Sequence, residues 1–390
     1  MRITNFLTII FLFLFFFSLR AETLKNIPSP YPGSSPSLET TEVGSEEILW
    51  EEEESYVPES SGRSYFPFGL GLYSRKSTFN LQTNPKYFQF NFLYGASRDL
   101  YGLNSGLGIT QFQRGMRKDR TIKVSEILGG DLNLLLSYGG NQRGLSFSGF
   151  STFRDRYSLG IQIAGFSNTV GERKQTTLPL PEGQVAEIHP NDPVLYGLNL
   201  AGVVNGSTVI GGVSISSLNI AHMGSLTGVN LGLIMNWSHS GRVRGLNLAG
   251  LINAAGILEG VNLSGLVNAG DEMNGIQLSA ISNIGKTING INLAGIMNSS
   301  NDSSGLSLGG LANLSRNHRG MSVSFWNRIS GVLTGVSVGV INQSESTEGL
   351  QMGLINLSQK KSRLQIGLIN YSKDNWIPFF PFLNFDFGEM

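Results

Sequence analysis

The sequence predicts an all-β fold built from 14–15-residue Gly/Asn/Leu repeats. Three observations carry that expectation. Copies beginning at Gly245, Gly260, Gly275, Gly290, Gly305 and Gly320 follow one another at a spacing of 15 residues. Self-similarity at a short fixed period is the signature of repeat architecture. Inside each copy apolar and polar residues alternate at period two, the pattern of a short strand. Gly contributes 50 of 390 residues, roughly twice its usual share of about 7%, which suits short strands joined by tight corners.

Residues 6–19 are apolar except for Thr8 and Ser18, with Arg2 before them and Ala21 after. That core is shorter than the roughly 20 apolar residues of a membrane span. Residues 1–21 therefore read as a secretory signal peptide, which predicts an exported chain. The sequence has no Cys, so it has neither disulfides nor the lipid-bearing Cys of a bacterial lipoprotein.

Residues 22–63 combine Pro28, Pro30, Pro32 and Pro36 with many serines and the acidic run Glu51, Glu52, Glu53 and Glu54. Low hydrophobicity with charge of one sign predicts a disordered spacer. Residues 64–195 form an aromatic-rich β region that holds the first repeats, near Gly144 and Gly160. Its Phe88-Gln89-Phe90-Asn91-Phe92 run alternates like a half-buried strand. Residues 176–193 are proline-containing and aperiodic, and predict a long loop. The main repeat region spans 196–372. Residues 373–390, with Trp376, Phe379, Phe380 and Phe382, read as an aromatic C-terminal strand or cap.

Numbering each copy from its first Gly, positions 2 and 4 are apolar and position 3 is Asn, Gln or Ser. Positions 5 and 6 are small, 7 and 8 are apolar, and 9 is usually Asn. Between Gly245 and Gly320 every charged residue falls at positions 12 to 15. One edge is therefore wet and the rest shielded.

Two architectures fit: a parallel β-solenoid with one coil per copy, or an antiparallel meander closing into an outer-membrane β-barrel. Three features favour the solenoid. Odd and even copies do not alternate, as duplicated hairpins would. The copies at Gly335 and Gly349 are one residue shorter at positions 5 to 6, a loss tolerated at a corner but register-breaking inside a strand. Asn253, Asn268, Asn283, Asn298, Asn313, Asn342, Asn356 and Asn370 recur in phase, and stacking would align them as an asparagine ladder. In such a solenoid Val261, Leu263 and Leu266 are expected to face an internal core. The barrel draws its support from the aromatic strands and tail, which suit a membrane interface belt.

The GxNLxGLxN and GLQxGLIN units, clearest in Gly349-Leu350-Gln351-Met352-Gly353-Leu354-Ile355-Asn356, resemble those of the leptospiral-type surface-repeat proteins of Gram-negative envelopes. The similarity runs from Gly197 to Asn370, about half the chain, and the motif is simple and Gly-rich. It implies an outer-membrane or cell-surface location. It implies no activity and supplies no catalytic residues.

Candidate chemistry is sparse. Two segments match the G-x-S-x-G nucleophile elbow, around Ser307 and Ser337, but both serines stand at position 3, where sister copies carry Asn262, Gln277 and Asn292. An elbow also needs a strand-to-helix turn and triad partners. His189, His222, His239 and His318 make no metal-binding spacing. The turns Asp271-Glu272 and Asn301-Asp302 lack the motif of calcium-binding β-rolls. Gly69-Leu70-Gly71 and Gly106-Leu107-Gly108 lack the third Gly of a dinucleotide fingerprint. Net charge is zero, so no global attraction to nucleic acid follows. The expectation is a non-enzymatic, cofactor-free and metal-free surface or outer-membrane-associated protein with a structural or adhesive role; the barrel alternative implies an integral outer-membrane protein that passes small solutes. Its ligand or host partner has no signature in the sequence.

Overall fold

The computed structural model describes residues 68–72, 86–97, 99–112, 115–116, 122–123, 125–171, 192–386 and 388. The expected signal peptide over 1–21, the spacer over 22–63 and most of the loop over 176–193 lie outside them. Among the described residues there is no helix. The strands wind into a parallel β-solenoid of about 17 turns. Gly245, Gly260, Gly275, Gly290 and Gly305 pair in one unbroken register. The earlier aromatic strands obey the same rule, with Gly102, Gly129, Gly144, Gly160, Gly197 and Gly212 aligned. A barrel meander would need antiparallel neighbours, so that alternative is not the architecture. Antiparallel pairing occurs between Gly115–Met116 and Ile122–Lys123, and where Phe379–Phe385 caps Ser362–Ser372.

The first Gly of each copy has a steric cause. Gly275 has φ +112°, and a Cβ there would lie 2.3 Å from the carbonyl oxygen of Gly260 in the preceding coil. An L side chain would suffer both the disfavoured dihedral and the clash. The chain bends at 265–266, 280–281 and 295–296, and at 339–340 and 353–354 in the two short copies. The missing residue is therefore absorbed at the corner.

Side-chain placement corrects one expectation. Val261, Leu263 and Leu266 are half-buried on the outside, while Asn262, between two of them, is fully buried. The same inversion recurs two turns on: Ile291 is 40% exposed and Asn292 is 0% exposed. Strand alternation was legible, but which face points inward was not. Each coil sends three main side chains inward, from positions 3, 9 and 14. Position 14 builds an apolar row through Leu195, Ile210, Leu226, Val243, Leu258, Met273 and Ile288. Positions 3 and 9 are polar, and the apolar rows at 2 and 4 stack on like neighbours around the outside.

Candidate functional site

The asparagines expected to stack do so inside the solenoid. Asn253 Nδ2 donates to Asn268 Oδ1 at 3.0 Å, and Asn268, Asn283 and Asn298 each donate to the next Asn at 2.9 Å. Each Nδ2 spends its second hydrogen on a corner carbonyl of the following coil: Asn253 on Leu263, Asn268 on Leu278, Asn283 on Leu293, at 2.8 to 3.0 Å. An amide has two donor hydrogens and an acceptor oxygen, so one side chain type satisfies both its neighbour and the bend. Buried polar groups need such partners.

The row continues from Asn313 through Asn327 to Asn342, Asn356 and Asn370. Asn327 escapes a sequence reading that counts from the first Gly, because the shortened corner after Gly320 puts it at position 8. The row also extends backwards through Asn236, Asn219, Asn205 and Asn168. Position 3 forms a second, interrupted ladder. Asn230 bonds Asn247 and Asn247 bonds Asn262, at 2.8 and 2.7 Å. The longer Gln277 and the shorter Ser307 then break the repeat distance, leaving both amide atoms of Asn292 without a partner.

Outside, the corner makes a groove of about 1240 Å³. Leu248, Leu263, Leu278, Leu293, Leu308 and Val323 form its wall, with Gly250, Gly265, Ala280, Gly295 and Gly310 along the bend. Small residues at the corner hold the surface down, while one leucine per coil stands up beside it. No charged residue lines it. The charges stand on the edge given by positions 12 to 15, where Lys286 meets Asp271 at 3.1 Å and Arg244 meets Glu259 at 2.9 Å. Near the C-terminal end Trp376, Phe379, Phe380, Phe382 and Phe385 are exposed.

The other sequence candidates scatter. Ser307 and Ser337 are buried, and the Ser337 hydroxyl donates to Asn342 Oδ1 at 2.7 Å. Both belong to the inner polar rows, without the access a nucleophile needs. His222 and His239 are exposed, and His239 lies edge-on to Trp237 at 5.8 Å. His189 lies outside the described residues. His318 is buried, and burial lowers its pKa below the ordinary imidazole value against a smaller upward pull from the backbone at Met321. Asp302 accepts a hydrogen bond from Asn317. Among the described residues no three His, Cys, Asp or Glu side chains converge on a point that could hold a metal ion. No described helix is long and apolar enough to cross a membrane.

Sequence reasoning missed the groove, because it assigned the leucines to the core; the small-residue corner beside an alternating strand was its available signal. The chain matches no family model, no curated protein and no solved structure.

Proposed function

We propose that this chain is a non-enzymatic repeat protein of a bacterial cell envelope, exported and seated by its apolar groove against the lipid of the outer membrane. The observation that carries the reading is the groove: a continuous wall of leucines without charge, on coils from Gly245 to Gly320 whose charges stand along a different edge. An uncharged, concave apolar surface is the kind of feature that serves as an interaction site. The apolar N-terminal core over residues 6–19 supports export, and the resemblance of the GxNLxGLxN units supports an envelope location.

Vesicle flotation tests the contact. The full mature chain should float with phospholipid vesicles, and Leu263→Glu with Leu278→Glu should abolish flotation while leaving the circular dichroism spectrum unchanged. Each buried leucine contributes about 1.5–3 kcal/mol, so each substitution should weaken binding about tenfold or more. Retention in the envelope fraction without flotation would assign the groove to a protein partner instead. Carbonate should release the chain from membranes, since the contact is peripheral. N-terminal sequencing of that material should begin at or near Glu22; an intact Met1 would overturn export by cleavage.

A further inference from the structure

The apolar row inside the solenoid breaks at one level. Leu258, Met273 and Ile288 are register partners in successive coils, but the next two positions are Ser303 and His318, and only then does Leu333 resume the row. Exchanging a large apolar side chain for serine leaves space. The result is an internal cavity of about 10 Å³, lined by Ile288, Asn292, Asn298, Ser303, Ser307 and His318 among others.

The cavity wall carries unused hydrogen-bonding capacity. His318 is 2% exposed; its Nδ1 lies 2.7 Å from Ser303 Oγ, and its Nε2 has no partner in hydrogen-bond geometry, the Met321 backbone exerting only its smaller pull on the ring. Asn292 is fully buried, and neither its Nδ2 nor its Oδ1 has a partner. Leaving such groups buried and unpaired is costly. Size and charge select what can satisfy them. A water needs at least about 10–15 Å³ and two to four polar partners, which this space just meets, whereas a larger solute does not fit. A bare cation would need compensating charge, and no carboxylate lines the cavity.

We propose that this cavity is a binding site for a single water molecule, held between Nε2 of His318 and the side-chain amide of Asn292. The water completes the interior at the level where the apolar row fails, and the surroundings of the ring favour a neutral imidazole. The charged groups on the strands packed around the ring are Asp302 on one neighbour, Arg319 on the strand of His318 itself and Arg328 on the other. All three are exposed, so none faces the ring to offset a buried imidazolium.

The sign of the pH effect follows. The folded-state pKa of His318 is lowered by burial, while the unfolded chain titrates near about 6.5. Above that pH both states are neutral and full stability is present. As pH falls through about 6.5 toward the lower folded value, the unfolded chain takes up a proton that the folded chain does not, and stability is lost.

An atomic-resolution crystal structure of the full chain at neutral pH tests the site. One ordered water should lie about 2.7–3.2 Å from His318 Nε2 and from an Asn292 amide atom. In Ser303→Ile, which fills the space as Ile288 does one coil earlier, that water should be gone. A dry wild-type cavity, or Nε2 bonded to a protein atom, overturns the proposal. Thermal melts at pH 7 and pH 5 supply the second readout. The wild type should lose about 2–4 °C more than His318→Leu. Equal losses in the two proteins overturn it as well.

Discussion

The regular coils from Gly245 to Ser315 and the coils around Asp131 answer one physical demand in two ways. Both turn polar side chains inward, and buried polar groups must find partners. In the regular coils the partner of each asparagine is another asparagine 15 residues on, as from Asn268 to Asn283. Donor and acceptor sit on the same amide, so the pattern continues without limit. Around Asp131 the repeat is irregular and the solution is charged. Asp131 stands at the same inward position as Asn104 and Ser146 in adjacent coils. Its carboxylate accepts from Asn104 at 2.6 Å and Asn133 at 2.7 Å, and from Ser137 and Arg154. Arg154 in turn donates to Ser137, to the Gly139 carbonyl and to Ser146, and its guanidinium lies 5.7 Å from the Phe112 ring centre. A carboxylate accepts but cannot donate, so this cluster terminates on its partners. The lesson is that a ladder needs only a period, whereas an ion pair needs specific neighbours.

Breaking the ion pair should give the largest effect. Asp131→Leu leaves the Arg154 guanidinium buried without its counter-charge, and should cost about 3–5 kcal/mol in a denaturant melt. Adding Arg154→Met should recover most of that loss, because replacing both partners with apolar groups is often neutral or stabilising. A double variant as unstable as the single one would mean that the pair is not the element that distinguishes these coils.

The spacing of the regular coils is open to a second attack. Gly275→Ala imposes a disfavoured backbone conformation worth about 1–3 kcal/mol, before the overlap with the Gly260 carbonyl is added. Its melting temperature should fall clearly below that of an alanine substitution at solvent-exposed Asn301 measured alongside.

Asn283→Leu probes the ladder itself. It leaves Asn268 Nδ2, Asn298 Oδ1 and the Leu293 carbonyl short of a partner. The expected cost is about 1–3 kcal/mol, smaller than for Asp131 because no charge is stranded. In a nearest-neighbour array the damage should stay local, so hydrogen exchange should rise in the adjoining coils and not at the distant termini. Uniform acceleration along the whole chain would contradict that picture.

The smallest effect belongs to the wet edge. Lys286 and Asp271 are both about half exposed, and exposed pairs contribute little. Lys286→Ala should move stability by less than about 0.5 kcal/mol. A loss matching that of Asn283→Leu would erase the contrast between interior and edge.

Much of this was legible in the residues. The spacing of Gly245, Gly260 and Gly275 determined that the structure is a repeat, and the alternation in Val261-Asn262-Leu263 determined that it is built of strands. The short copies at Gly335 and Gly349 located the corner, and the phase of Asn253, Asn268 and Asn283 determined which side chains stack. Tertiary structure alone decided which side of the strand faces inward. Alternation states that two faces differ, and the usual rule sends the apolar one to the core. Here the interior is narrow, and its bends present carbonyls that only a donor such as asparagine can satisfy. The hydrogen-bond demand of the corners therefore outweighs the gain from burying leucine, which keeps part of that gain by stacking on its neighbours outside. The ion pair of Asp131 with Arg154 and the cavity beside His318 likewise exist only once coils are superposed, because Arg154 lies 23 residues from Asp131 and Ser303 lies 15 from His318.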